Sequence, residues 1–302
     1  MSFKKEYFAH GKLLITGEYA VLDGAKALAI PTKMGQRLTV SKNTSDTLYW
    51  KSYDVNNQVW FECSLSSSFQ ILETSSTEKC QRLIDLLTSI IMLKPEFSLE
   101  LFNSNVITQL EFDRNWGLGS SSTLIHLISQ WSEVNPYRLL KDSFTGSGYD
   151  IACADAKGPI LYYLENKVPQ VKEIPFNPVF KNQIFFVYTG NKQFSDQEIN
   201  KYSKLNIEKE QFAQEITQIT SNVVMATNLK DFTTELLNHE NLVSKTLNYP
   251  KIKDQYFKSI NGTFKSLGAW GGDFVMFVGE KKEIPKIKKL GFQTIMEWKE
   301  MF

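Results

Sequence analysis

Residues 106–112 alternate between apolar and polar side chains, the period of a half-buried strand. Trp116-Gly117-Leu118-Gly119-Ser120-Ser121-Ser122 follows, and beyond it Leu124, Ile125, Leu127, Ile128 and Trp131 recur at helical spacing. This order predicts a strand, a glycine-rich turn and a helix whose first turn is rich in serine. Near the N-terminus, residues 10–16 read as a strand, Gly17 as a turn, and Asp23-Gly24 as the close of a short element. Residues 25–30 then form another apolar strand. Further strands are expected at 37–41, 47–54 and 59–63, with a hairpin turn over 54–58. Ser75, Ser76, Thr77 and Glu78 have the order of a capping box, and Leu83, Ile84, Leu86, Leu87, Ile90 and Ile91 mark the buried face of the helix behind it.

In the second half, Asn135-Pro136 restarts a helical pattern and residues 160–164 supply a strand. A second unit is expected from about residue 181, with a hydrophobic strand over 182–188 and a helical pattern from 196 to 247. A strand-turn-strand follows over 264–278, and the lysines of 281–289 read as the solvated face of a helix. Strand, helices, strand, helix, strand suits a small α+β sandwich.

Composition narrows the function classes. The 302 residues favour two domains, and 42% hydrophobic with 22% charged residues is typical of a soluble globular chain. With 34 basic residues against 33 acidic, the net charge is +1, so no basic field for nucleic acid is expected. Cys63, Cys80 and Cys153 form no CxxC pair and are odd in number, which argues against a disulfide framework or a zinc site and suits a reducing cytoplasm. No secretory leader or membrane-spanning run is legible. No nucleic-acid or membrane partner is therefore expected.

The glycine-rich turn is where chemistry enters. Two glycines permit close backbone approach, and a helix N-terminus presents unpaired N–H groups with the positive end of the macrodipole. That combination suits an anion, phosphate above all, although an ordinary capped turn has the same composition. Lys12 sits inside an apolar strand, which calls for an anionic partner or an edge position. Glu18 follows a glycine turn. Asp150 follows Gly146 and Gly148 and leads into an apolar run, as a helix-capping carboxylate or as a base or charge partner beside the anion site.

Four segments coincide in order: GKLLITGEYAVLDG, GLGSSS, GSGYDIACA and GAWGGD. Together they resemble the GHMP kinases, along nearly the full length of the chain. The resemblance implies an α+β, two-domain fold, ribosomal protein S5 domain 2-like over 1–178 and ferredoxin-like over 179–302. The absence of GxxxxGK[ST] agrees, because this superfamily does not use a Walker loop. Within it the likeness is greatest to the bacterial phosphomevalonate kinases: Tyr19 stands where mevalonate kinases carry histidine, and GSGYD is similar to the GSGxD segment. The implied reaction is transfer of the ATP γ-phosphoryl group to 5-phosphomevalonate, with mevalonate or another small alcohol or sugar as the alternative acceptor. A non-catalytic nucleotide-binding homologue is the alternative of another class.

The resemblance also implies roles. Gly117, Leu118, Gly119, Ser120, Ser121 and Ser122 would hold the ATP phosphates, with Ser121 a ligand to Mg²⁺. Asp150 matches the catalytic aspartate and Lys12 the lysine that accompanies it. Glu18, Tyr19, Ser147, Ser195, Gly268, Gly271 and Gly272 would lie on the substrate side. Departures are visible too: Leu267 and Trp270 replace residues usual in the last glycine loop, and only 29 positions separate Ser121 from Asp150.

Overall fold

In the computed structural model, which describes residues 4–143, 146–190, 195–268 and 273–302, the N-terminal pattern becomes one long strand, β1 (Lys4–Thr16). The Gly17 turn and a 3-10 turn over Ala20–Asp23 lead into β2 (Ala27–Lys42). Then come β3 (Thr47–Tyr53), β4 (Val59–Ser66), β5 (Ile71–Thr74), α1 (Thr77–Leu93), α2 (Phe97–Leu101) and β6 (Ser104–Leu110). The serine-rich helix is α3 (Ser120–Ser132), followed by α4 (Pro136–Ser143), α5 (Tyr149–Asp155), β7 (Ile160–Glu165) and β8 (Val168–Glu173). The remainder comprises β9 (Ile184–Tyr188), α6 (Ser195–Ser203), α7 (Lys209–Met225), α8 (Leu229–Leu247), α9 (Ile252–Tyr256) and β10 (Thr263–Ser266). It closes with β11 (Phe274–Val278), α10 (Ile284–Lys289), β12 (Ile295–Glu297) and α11 (Trp298–Met301).

Contacts group the chain into two compact units, each discontinuous in sequence. The first holds the chain up to Gly11 with Met34–Arg114 and Gly119–Asp155; the second holds Lys12–Lys33, Asn115–Leu118 and everything from Ala156. In the first, the strand order is β5-β4-β3-β6-β2, with β3 and β6 parallel and the other pairs antiparallel. Along β6 the buried positions are Ser104, Val106, Thr108 and Leu110; Thr108 is tolerated there because its hydroxyl donates to Ser52 Oγ at 2.9 Å. Leu38, Val40, Trp50 and Val106 from the sheet meet Leu83, Leu87, Ile125 and Ile128 from the helices in one core. The expected capping box does not form. The helix starts one residue late, with Ser76 as N-cap, so Glu78 falls at the second helical position and pairs with Arg82 at 2.9 Å.

In the second unit, the first half of β2 pairs with β7, and β7 with β8. A separate antiparallel sheet has the order β10-β11-β9-β12, and stacked Phe257 and Phe264, 4.2 Å between ring centres, join Phe185 and Phe277 in its core. The two strands expected at 25–30 and 37–41 are one continuous β2. Pro31 lies within it, between the residues paired with β7 and those paired with β6. No helix among the described residues is long and apolar enough to cross a membrane.

Candidate functional site

Lys12 resolves its awkward position through the glycine-rich loop. Its main-chain N–H donates to the Leu118 carbonyl at 3.0 Å, and its ammonium donates to the Gly117 carbonyl at 2.8 Å. The loop is held from below as well. The Tyr188 hydroxyl donates to the Asn115 carbonyl at 3.2 Å, and the Trp116 ring meets Phe274 edge-on at 5.8 Å. Gly117 has φ +64°, and a Cβ there would fall on the carboxylate of Asp273. Glycine is thus required twice over, by conformation and by space.

The loop ends in the helix start of the first unit. Gly119, with φ 90°, is the N-cap of α3. Ser122 Oγ donates to the Gly119 carbonyl at 2.8 Å, and Thr123 Oγ1 to Gln36 Oε1 at 2.7 Å, so these two hydroxyls serve the turn itself. Half-buried Ser120 and exposed Ser121 have no hydroxyl partner among the described residues. No acidic side chain occupies the first turn, which leaves the helix N-terminus uncompensated and receptive to an anion.

Asp150, in the same unit, stands in the first turn of α5, half-buried, with Oδ1 accepting from the Ile151 N–H at 3.0 Å. It lies inside the helix and is not its N-cap. Beside it is Tyr137 of α4, whose phenol is pushed up to about 12 by burial and, secondarily, by the Asp150 charge. His126 of α3 lies 3.6 Å from Asp155 at the end of α5; burial pushes its imidazole down despite that carboxylate.

In the second unit the Gly17 turn sits over a buried set of charges. Glu18 is 1% exposed, with Oε1 at 2.5 Å from Lys265 Nζ and Oε2 at 3.0 Å from His239 Nε2. Burial pushes the Glu18 carboxyl up, but Lys265 outweighs it and holds the group below the usual carboxylate range. Burial and Lys265 push His239 down, so it is neutral. Glu240, pushed up by burial, accepts from the Ser266 N–H at 3.0 Å and the Ile252 N–H at 3.2 Å.

No protein-family model matches the chain, and no curated protein matches its sequence. Solved structures do. Streptococcus pneumoniae phosphomevalonate kinase in complex with phosphomevalonate and AMPPNP aligns with TM-score 0.71 at 16% identity, over 97% of this chain and 99% of that one. Methanococcus jannaschii mevalonate kinase aligns with TM-score 0.68 at 17% identity, covering 97% and 96%. Lactococcus lactis galactokinase complexed with galactose gives 0.68 at 12%, covering 97% and 92%. The fold is that of the GHMP kinases.

Other expected site residues of this GHMP kinase fold have more varied settings. Tyr19 takes φ 58°, is 7% exposed, and stacks on Tyr202 at 5.5 Å; the Tyr202 hydroxyl in turn donates to Asp23 at 2.5 Å. Ser147 is half-buried. Gly268 has φ +67° with open space where a Cβ would be. Ser195 begins α6, but its side chain lies outside the described residues, as do Gly271, Gly272 and Trp270. Leu267, the departure from the usual hydroxyl residue, is 1% exposed and belongs to the core. Among the described residues there is no group of three or more His, Cys, Asp or Glu side chains fit to hold a metal.

Sequence reasoning missed Tyr137, Lys265, His239 and Glu240. A lysine between Phe264 and Leu267 in an expected strand was a signal of the same kind that drew attention to Lys12.

Proposed function

We propose that the chain is an ATP-dependent small-molecule kinase acting on 5-phosphomevalonate, in the mevalonate pathway of isoprenoid synthesis. One observation carries the reading: the Lys12 ammonium rests on the Gly117 carbonyl, at the threshold of a helix start with unoccupied serine hydroxyls. A cation fixed beside an anion-binding turn is what phosphoryl transfer needs, since that reaction is chiefly positioning and charge neutralisation. The choice of acceptor follows the sequence likeness of Tyr19 and the GSGYD segment to phosphomevalonate kinases, one of which, holding phosphomevalonate and AMPPNP, shares the fold.

In this reading Gly117, Leu118, Gly119, Ser120, Ser121 and Ser122 receive the ATP phosphates, and Lys12 offsets the charge that accumulates as the bond breaks. A phosphate acceptor is already anionic and nucleophilic near neutral pH, so Asp150 orients it more than it deprotonates it. Tyr19, Ser147, Ser195, Gly268, Gly271 and Gly272 belong to the acceptor side. For Mg²⁺, Ser121 offers an exposed hydroxyl as the one proposed protein ligand; this ion usually keeps several waters and takes substrate phosphates with one or two carboxylates, so the ATP phosphates and water would complete its shell here. Bound there, it would neutralise the transferring phosphoryl group. The enzyme would work in the cytoplasm as a monomer or homodimer.

Release of ADP from Mg-ATP with separate acceptors tests the proposal. Turnover with 5-phosphomevalonate supports it. Turnover with mevalonate or a sugar alone moves the acceptor, and nucleotide binding with no transfer to any of them overturns the kinase reading.

A further inference from the structure

The buried charges beneath the Gly17 turn are poor packing material. Ion pairs in an apolar interior give little net stability, because desolvation offsets their attraction. This set is also incompletely satisfied. His239 Nε2 lies 3.1 Å from the Gly17 N–H and 3.0 Å from Glu18 Oε2, and a neutral imidazole nitrogen serves only one of them. With Nε2 accepting from Gly17, Glu18 Oε2 and His239 Nδ1 are left without hydrogen-bond partners. Apolar side chains would fill the space at less cost.

What the charges do is join segments that no ladder joins. The Gly17-Glu18-Tyr19 turn is tied through Glu18 to Lys265 on β10. Lys265 Nζ also donates to the Ser266 carbonyl at 2.8 Å, and Glu240 takes the Ser266 N–H together with its hydroxyl, at 3.0 and 3.3 Å. Ser266 is two residues before Gly268. Turn, α8 and strand end are therefore fixed to one another by directional bonds, next to Tyr19 in its left-handed conformation. Main-chain geometry on both sides follows the Glu18–Lys265 pair.

We infer that Glu18 and Lys265, seated on His239 and Glu240, are positioning residues that set the Tyr19 turn and the Gly268 segment as one unit for the acceptor. The inference rests on the kinase reading above, which places both segments on the acceptor side. It gives Glu18 a role without substrate contact, in keeping with a carboxylate that is 1% exposed.

The test removes both charges together. E18Q/K265M removes both members of the Glu18–Lys265 pair and keeps the side-chain volumes close, while Glu240, whose carboxyl burial already pushes up, loses the Lys265 charge and is relieved of the Glu18 charge together; E18Q/K265Q, whose amides can bond to each other, is the second variant should the first fail to fold. In the folded variant, KM for 5-phosphomevalonate rises roughly tenfold or more while KM for Mg-ATP stays within roughly twofold. Amide hydrogen exchange quickens at residues 19–21 and 266–268 together and stays unchanged on β6 and α3. Wild-type values for both KM constants, or equal loss for both substrates, overturn the inference. So does faster exchange at only one segment, or unfolding of both double variants, which would make the charges structural. If the wild-type chain phosphorylates no acceptor, the functional reading fails, and the exchange measurement still decides whether the two segments move as one.

Discussion

Replacing Gly117 with alanine probes the loop most directly. Two separate costs are expected. An L-residue at φ +64° pays roughly 1–2 kcal/mol for left-handed backbone. The new Cβ would also land on the Asp273 carboxylate, and relieving such overpacking typically costs about 1–3 kcal/mol. Gly291, with φ +105° and open space around its would-be Cβ, isolates the backbone part. Denaturant unfolding should therefore show G117A less stable than G291A by about 1–3 kcal/mol. Removing the obstruction in G117A/D273A should recover most of that difference, as a coupling energy between neighbours. Because the Gly117 carbonyl also receives the Lys12 ammonium, G117A should weaken Mg-ATP binding, measured by calorimetry, where G291A does not. Equal stability losses in G117A and G291A would refute the steric argument, and unchanged nucleotide affinity would refute the placing of this loop.

The other predictions concern charge. K12M and D150N should each lower turnover roughly 10²-fold or more, and near-wild-type rates in a coupled assay would remove that residue from the mechanism. K265M alone strands the Glu18 carboxylate in the interior and should cost about 3–5 kcal/mol in denaturant unfolding, against a smaller loss in E18Q/K265M. His126 and His239 are both pushed down by burial, so the unfolded chain binds more protons than the folded one below their ordinary value of 6.5. Stability should fall as pH drops from 6.5 towards the depressed folded values. Asp155 beside His126 and Glu18 beside His239 temper the size of that fall, whereas Lys265 beside His239 adds to it. Glu240, pushed up, opposes it, because it gains stability as pH falls. Thermal melts of H126Q should show a flatter pH slope; an unchanged slope would clear His126 of any part.

Much of the fold was legible because its signals are local. The alternation over 106–112 and the helical spacing after Ser122 became β6 and α3, and Lys12 inside β1 donates to the Gly117 carbonyl. What escaped depended on neighbours. The strands expected at 25–30 and 37–41 are one because β2 finds β7 at one end and β6 at the other, partners distant in the chain. The capping box at Ser75–Glu78 failed through a shift of one residue, which no motif can resolve. Glu18 read only as a carboxylate after a glycine turn and on the substrate side; its partners, His239 and Lys265, come from more than 200 positions away in the chain.

The long strand β2 carries an evolutionary corollary. Because it gives one end to each compact grouping, and because residues 12–33 and 115–118 are stitched into the later one, neither grouping corresponds to a contiguous stretch of gene. A fragment beginning at Ala156 would lack the strand that β7 lies against and the carboxylate that neutralises Lys265. Shuffling, splitting or grafting halves of this polypeptide would thus break both at once, and drift in either half is answerable to the other.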